Sequence, residues 1–506
     1  MSSALNAGRR RAELESLTEV DVLVIGGGVT GVGTALDAAT RGLRVALVEA
    51  HDLAFGTSRW SSKLVHGGLR YLASGRIGVA RESAVERHIL MTRTAPHLIR
   101  ALPQVVPLLP SVKHRALIRA GFVAGDALRA TARTPASLLP RSRRVDAAAT
   151  RALTPAVQID GLDGGLVAYD GQLVDDARLV VTIARTAAGH GAIVLTRVRA
   201  SDVTGTSATL TDTLTDETLA VRAKAVVNAT GVWAGEVDAS MRLRPSRGTH
   251  LVFDAATFGH PRGALTVPVP GSISRFVFAL PQQLGRVILG LTDEDAPGPV
   301  PDEPVPTEKE IDFLLATINT ALDEPVTRAD VRGAFAGLRP LIESDGDTSD
   351  LSRRHAVVES PSGVITVVGG KLTTYRRMAQ DAVDAAIRLR GLVATPCRTA
   401  RLPLIGADGG STQGLPASLI ARHGGGARTV VDAATVERPL DAIADGIDVT
   451  RAEVEFTATH EGALDVDDVL HRRTRIGLVP ADADRARGAI EEILGTDARQ
   501  PKRPWT

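Results

Sequence analysis

Apolar residues in this chain fall into short runs that alternate with helical patterns. Asp21 to Ile25 (DVLVI) is a Val/Ile-rich run of the kind that forms a strand buried on both faces. Three glycines follow, and then VTGVGTALDAATRGL, where small and apolar residues recur at helical spacing. Arg44 to Val48 (RVALV) returns as a second strand and ends at Glu49. This predicts one βαβ unit with parallel strands and a right-handed crossover. Val174 to Ala188 reads as a helix opened by Asp175 and Asp176, with Ala192 to Leu195 as the strand behind it. Ser207 to Leu214 largely alternates in period two, like one arm of an antiparallel ribbon. Ala225 to Asn228 and Val364 to Val368 are further buried strands; the second runs through Gly369, Gly370 and Lys371 into a helix that reaches Arg388. Short Val/Phe/Leu runs broken by Gly and Pro from His250 to Leu291 predict an antiparallel sheet.

The segments between these elements are easy to place. Residues 1–18 carry arginines with no apolar stretch behind them, so they are no secretory signal and read as a mobile leader. Ala296 to Pro306 is a Pro-rich surface loop, and Thr307 caps the helix after it. Residues 394–416 are irregular and Gly/Pro-bearing, a linker to a C-terminal helical region, 417–506, whose last helix is Asp482 to Leu494.

Composition narrows the function. Of 506 residues 44% are hydrophobic and 23% charged, which excludes a disordered or fibrous chain. A net charge of +1 gives no global field to gather nucleic acid, so no nucleic-acid partner is expected. The single cysteine, Cys397, rules out an intramolecular disulfide and a CxxC zinc site, and no metal is expected. No run of apolar residues is long enough to span a bilayer as a helix. Charge is nevertheless uneven: ten Lys/Arg stand against two Asp between Arg100 and Arg151, and eleven Asp/Glu against two Arg between Val430 and Asp468.

Gly26, Gly28 and Gly31 form G-x-G-x-x-G between a strand and a helix, with Gly27 inside the turn. Such glycines let a pyrophosphate approach the backbone and sit on the positive end of the helix. Glu49, at the tip of the second strand, is placed to accept hydrogen bonds from ribose hydroxyls, and its charge disfavours a 2′-phosphate and so NADP. Two further segments favour FAD over NAD. The first, AHDLAFGTSRWSSKLVHGGLRYL, offers many donors along an extended ligand, from Ala50, Thr57, Ser58, Ser61 and Ser62 to Lys63, His66, Gly67 and Gly68. The second is the turn at Gly370, Lys371, Leu372 and Thr373, a helix start that would stabilise negative charge on a reduced flavin ring. Ala229, Thr230 and Gly231, after the strand to Asn228, complete the cofactor candidates.

The strings VIGGGVTGVGTALDAATRGL, SSKLVHGGLRYL, LVDDARLV, VNATGVWA, GLRPL and VVGGKLTTYRRMA occur in that order from Asp21 to about Ala379. They resemble the FAD-dependent (aerobic, respiratory) glycerol-3-phosphate dehydrogenase family, within the D-amino-acid-oxidase-like flavoproteins, and VLHRRTRIGL resembles that family's extra helical domain. The resemblance implies an α/β fold in which a two-dinucleotide-binding, Rossmann-like FAD domain (19–90, 165–235 and 337–393) is interleaved with an antiparallel-sheet cap (91–164 and 236–336) and followed by the C-terminal helical domain. It implies oxidation of sn-glycerol 3-phosphate to dihydroxyacetone phosphate by hydride transfer to flavin N5, with the electrons passed to a membrane quinone. It also implies a cytoplasmic protein peripheral on the inner face of the cell membrane, and allows a homodimer.

By the same resemblance the phosphate would meet Arg70, Tyr71, Arg353 and Lys371, with Arg354 beside Arg353 leaving that assignment one residue open. A dianion needs several cations, and arginine's planar fork can hold two of its oxygens. His250 and Arg339 would lie near the substrate hydroxyl, the histidine as base near its ordinary pKa and the arginine stabilising the developing alkoxide. His66 is a rival base that more naturally touches the flavin.

Lys113 to Ala132 mixes arginines with Leu, Ile, Phe and Val at helical spacing. It suits an anionic lipid surface. A solvated helix face, or packing on the acidic C-terminal block, is the alternative, and membrane contact is slightly favoured. A glycerol-3-phosphate oxidase would share almost every motif and differ in giving its electrons to oxygen. An amine or amino-acid oxidase would want one carboxylate clamp, not several cations.

Overall fold

The computed structural model describes residues 2–68, 76–272, 275–342 and 355–495. Glu19–Ile25 and Val45–Val48 pair in parallel, with Val24 opposite Leu47, and the helix Val29–Thr40 crosses between them. On its other side Glu19–Ile25 pairs in parallel with Thr218–Asn228, Ile25 opposite Asn228. The order across the sheet is Ala356–Glu359, Ile365–Val368, Thr218–Asn228, Glu19–Ile25, Val45–Val48 and Ile193–Leu195, with Val198–Ser201 and Ser207–Asp212 attached as a ribbon. The chain fills both sides of Glu19–Ile25, so a crevice opens at the carboxyl ends of the strands.

Both faces of this sheet are covered, which is why its strands read as continuous apolar runs. Val22 and Val24 pack with the helices Val29–Thr40, Asp176–Gly189 and Tyr375–Arg390, while Leu23 and Ile25 pack with Ala208 and Leu210 of the ribbon. The period-two alternation of Ser207–Asp212 is visible in its burial, with Ala208, Leu210 and Asp212 inward.

A second, mostly antiparallel sheet forms the cap. Ser246–Asp254 lies between Arg286–Gly290 and Gly333–Arg339, with His250 opposite Gly290 on one side and Phe335 on the other. Phe276–Pro281, Ala264–Pro268, Ile99–Pro107 and Gly165–Leu173 continue it, ending at the two-residue strand Leu64–Val65. One face packs on the helix Glu308–Asn319 through Leu314 and Ile318. Thr307 caps that helix, its hydroxyl and the Glu310 carboxylate closing a reciprocal box.

Three features depart from the sequence reading. The first residues form no loose leader: Asn6 caps the helix Ala7–Glu15, and Arg10 is buried against Asp212 at 2.6 Å. Gly165–Leu173, expected with the cofactor sheet, instead pairs along its whole length with Ile99–Pro107 in the cap sheet. The C-terminal region carries a small hairpin, Ala442–Ala444 with Ile447–Thr450, among its helices.

The C-terminal region is joined to the cofactor region by buried charge. Arg473 holds both Asp52 oxygens, at 2.8 and 2.9 Å, and Arg472 donates to Oδ2 at 2.7 Å. Arg472 also meets Asp468, which Arg197 reaches at 2.8 Å. These arginines hold the Asp52 carboxyl below the ordinary carboxylate range despite its burial. The pairing therefore stabilises the fold above the unfolded pKa near 4 and is lost as pH falls towards the folded value. Asp52→Asn leaves Arg473 without its carboxylate and Arg472 with Asp468 alone, and should cost about 3–5 kcal/mol of unfolding free energy at pH 7. The gap between variant and parent in denaturant titrations should narrow below about pH 4.

Candidate active site

A cavity of about 1140 Å³ runs from the carboxyl ends of the parallel strands to the inner face of the cap sheet. At its first end the chain turns at Gly26, in the left-handed region at φ 111°, into the helix Val29–Thr40. A Cβ at Gly31 would run into the Gly26 carbonyl oxygen, so the third glycine serves the close packing of helix on strand. Gly28 and Val29 open the helix onto the cavity, and the Val29 N–H donates to the Ser58 hydroxyl at 2.9 Å.

Glu49 faces the same space. Its Oε2 accepts from the Gly27 N–H at 2.6 Å and its Oε1 from the His51 N–H at 2.8 Å. Burial pushes its carboxyl up from the ordinary value. With one hydrogen bond on each oxygen, further lone pairs remain for a diol. Ala50, Thr57, Ser61, Ser62 and His66 continue this wall, and Ala229, Thr230 and Gly231 face it. Gly370, Lys371, Leu372 and Thr373 line the opposite side, with Gly369 and Gly370 at φ 76° and 73°. Such a turn delivers the short helix Leu372–Thr374 and then Tyr375–Arg390 without a Cβ clash.

The cap supplies the far end. His250 and Gly248 project from Ser246–Asp254 on one face, and Arg339 ends the neighbouring strand Gly333–Arg339. The Arg339 guanidinium donates to the Ser246 hydroxyl and to Asp293 at 3.2 Å, and to the Thr292 carbonyl at 3.1 Å. His250 is stacked on Phe335, with ring centroids 4.8 Å apart, and its Nε2 lies 2.8 Å from the Ser62 hydroxyl. The Lys371 ammonium donates to the Ser83 hydroxyl at 2.5 Å.

The glycine turn, the open helix start and the Glu49 carboxylate together form a cradle that a side chain would fill, and these residues fit FAD. The family profile described as FAD dependent oxidoreductase matches residues 21–376, and that of the C-terminal domain of alpha-glycerophosphate oxidase matches residues 397–500. Glycerol-3-phosphate dehydrogenase 1 of Mycobacterium tuberculosis is 65% identical over 97% of this chain and 99% of its own length. The chain belongs to the FAD-dependent glycerol-3-phosphate dehydrogenase family. The mitochondrial glycerol-3-phosphate dehydrogenase of Macaca fascicularis is 35% identical, over 96% of this chain and 71% of its own length. The crystal structure of the Bacillus halodurans glycerol-3-phosphate dehydrogenase complexed with FAD superimposes with a TM-score of 0.74, at 26% identity, covering 97% of this chain and 95% of that one.

Within this glycerol-3-phosphate dehydrogenase family member, several expected site residues act at one remove. Lys63 is 1% exposed and pairs with Asp176 at 2.9 Å, so it anchors the loop and does not face the cavity. Gly67 donates its N–H to Asp170, which Arg87 holds at 2.5 Å, and a Cβ there would collide with the Arg87 guanidinium. Gly27 and Gly31 shape the turn and do not line the cavity. Arg70, Tyr71 and Arg353 lie outside the described residues.

His250 needs a larger correction. Burial first, then the charges of Lys63 and Arg339, push its pKa down to about 3 instead of leaving it near the ordinary value. So placed, the ring is neutral across the physiological range. Trp60, Trp233, Asp170 and Asp293 also line the space and were missed: the two tryptophans stand inside quoted strings but were not singled out as ligand contacts, and Asp170 and Asp293 belong to no string with a recognisable spacing.

Proposed function

We propose that this chain oxidises sn-glycerol 3-phosphate to dihydroxyacetone phosphate and passes the electrons to a quinone at an anionic membrane surface. The observation that carries the reading is one continuous cavity joining the dinucleotide cradle at Gly26 and Glu49 to His250, Arg339 and Lys371. Bound FAD would supply the two-electron acceptor. The chain's own residues do the rest: Lys371 offers a cation to the phosphate, Arg339 a positive charge beside the oxygen that loses its proton, and the cap sheet a wall against water. Arg70, Tyr71 and Arg353 complete the proposed phosphate clamp.

Support for the membrane comes from the helix Arg115–Thr131. Its arginines turn towards the protein: Arg115 meets Asp163 at 3.3 Å, Arg119 the Ser142 hydroxyl at 2.7 Å, and Arg129 the Thr134 carbonyl at 2.6 Å. Its exposed face is instead Ala116, Leu117, Ala120, Val123, Ala124 and Ala127, with Lys113, His114 and Arg133 exposed at the ends. An apolar face framed by basic ends suits the headgroup boundary of a bilayer better than water. Leu117, Ile118 and Phe122 of the same helix line the cavity together with Phe276 and Phe278, an apolar lining suited to a quinone. No described helix is long and apolar enough to cross a membrane.

Two measurements test this reading. Lys371→Ala should lower kcat/KM for glycerol 3-phosphate about ten- to a hundred-fold, the weight of one charge-assisted contact, with a much smaller effect on glycerol. Equal proportional losses on both substrates would remove Lys371 from the clamp. Val123→Glu with Ala127→Glu, both facing away from the cavity, should abolish flotation with anionic liposomes while leaving flavin reduction by substrate unchanged; flotation at the parent level would place the membrane contact elsewhere.

A further inference from the structure

The His250 ring has no freedom to turn. Phe335 stacks on one face at an interplanar angle of 14°, and a Cβ at Gly290 would overlap the imidazole. Fixed in this way, the ring aims Nε2 at the Ser62 hydroxyl, 2.8 Å away. Its Nδ1 is buried, and an interaction of the ring with the Gly248 backbone favours the protonated form. Neither nitrogen is therefore presented directly to a substrate. Ser62 is: it is half-buried and lines the cavity, as Arg339 and His66 do. Its position is set from behind, because Ser61 is tied through backbone N–H and hydroxyl to Asp176, at 3.0 and 2.7 Å, and Lys63 is tied to the same carboxylate.

We propose that Ser62 is a catalytic residue of this enzyme: its hydroxyl accepts the C2–OH proton of the substrate and hands its own proton to Nε2 of His250. The inference rests on the glycerol-3-phosphate reading above and adds the proton's path to it. A serine hydroxyl can donate and accept at once, which a buried imidazole whose Nε2 already faces that serine cannot do for an incoming alcohol. The bookkeeping closes. The substrate O–H and C2–H bonds break, the C2 hydrogen leaves with its electron pair to the cofactor, the C–O bond becomes a carbonyl, and the proton ends on His250. No other oxidant is required.

The charges around His250 make the relay conditional on substrate. Lys63 and Arg339 oppose an imidazolium, Asp176 favours it through the Lys63 pair, and Asp293 is engaged by Arg339. A bound dianionic phosphate adds negative charge to this balance and favours the protonated ring. His250 would then accept a proton with substrate bound.

The test is anaerobic single-turnover flavin reduction by glycerol 3-phosphate, in water and in D2O, on the parent, Ser62→Ala, Ser62→Thr, His250→Gln and the double variant Ser62→Ala/His250→Gln. Ser62→Ala should keep its full flavin content and its affinity for dihydroxyacetone phosphate in titration calorimetry, yet reduce its flavin about a hundred- to a thousand-fold more slowly, the usual weight of general base catalysis. The solvent isotope effect on the rate should disappear with it. Ser62→Thr, which restores a hydroxyl, should recover most of the rate, and the double variant should be no slower than either single one because the two residues act as a unit. A Ser62→Ala rate within about threefold of the parent with the isotope effect intact would overturn the relay. So would loss of flavin from that variant, which would make Ser62 a cofactor contact instead. A parent protein that glycerol 3-phosphate does not reduce would overturn the underlying functional reading, a result distinct from either.

Discussion

The loop from Glu49 to Lys63 depends on one constraint: a carboxylate buried at Asp52 must be paired. Apart from the short turn Thr57–Arg59 this loop has no regular secondary structure, yet it presents Glu49, Thr57, Ser58, Ser61 and Ser62 to the cavity. Its internal contacts, such as Arg59 Nε to the Phe55 carbonyl at 2.7 Å, are short-range and do not tie it to the rest of the fold. Asp52 is met by Arg472 and Arg473, about 420 residues away in the chain. Arg475 donates to the Arg59 carbonyl at 2.6 Å and approaches Asp175 at 3.2 Å. An unpaired charge in that position would be prohibitive, so the C-terminal region is part of the cofactor site although it lines none of it.

The same device recurs at each irregular segment of the site. Asp176, in the first turn of Asp176–Gly189, gathers Ser61 and Lys63. Asp170 fixes Gly67 and is itself held by Arg87. Arg59, lying over the Trp60 ring at 4.1 Å, reaches Glu303 of the Pro-rich loop at 2.7 Å and brings that loop beside the cavity, where Val300 and Asp302 line it. Paired charges give a loop the rigidity that a ladder of backbone hydrogen bonds gives a strand, and a site for hydride and proton transfer needs positions fixed to a fraction of an ångström.

What the sequence made legible follows from this division. The βαβ unit, the glycine turn and Glu49 were readable because their signals are local: an apolar run, a glycine spacing and an acid at a strand end. The helix cap at Thr307 was local too. Arg10, Asp52, Arg473 and the Lys63–Asp176 pair were not, since each is an ordinary charged residue until its distant partner is known. The basic stretch around Arg115 was misread in detail for a related reason. Composition counts its arginines, whereas only the fold shows that they turn inward and leave Leu117 and Val123 outside, 52% and 50% exposed. His250 was found by its motif, but what keeps it neutral, its burial first and then the charges of Lys63 and Arg339, comes from other strands and loops.

The most direct measurement is an anaerobic titration of the purified yellow protein with sn-glycerol 3-phosphate, followed at the flavin absorbance. The flavin should bleach with dihydroxyacetone phosphate formed in proportion to flavin reduced, and should not bleach with glycerol or D-amino acids at the same concentration. A flavin that stays oxidised in excess glycerol 3-phosphate would contradict the proposed function.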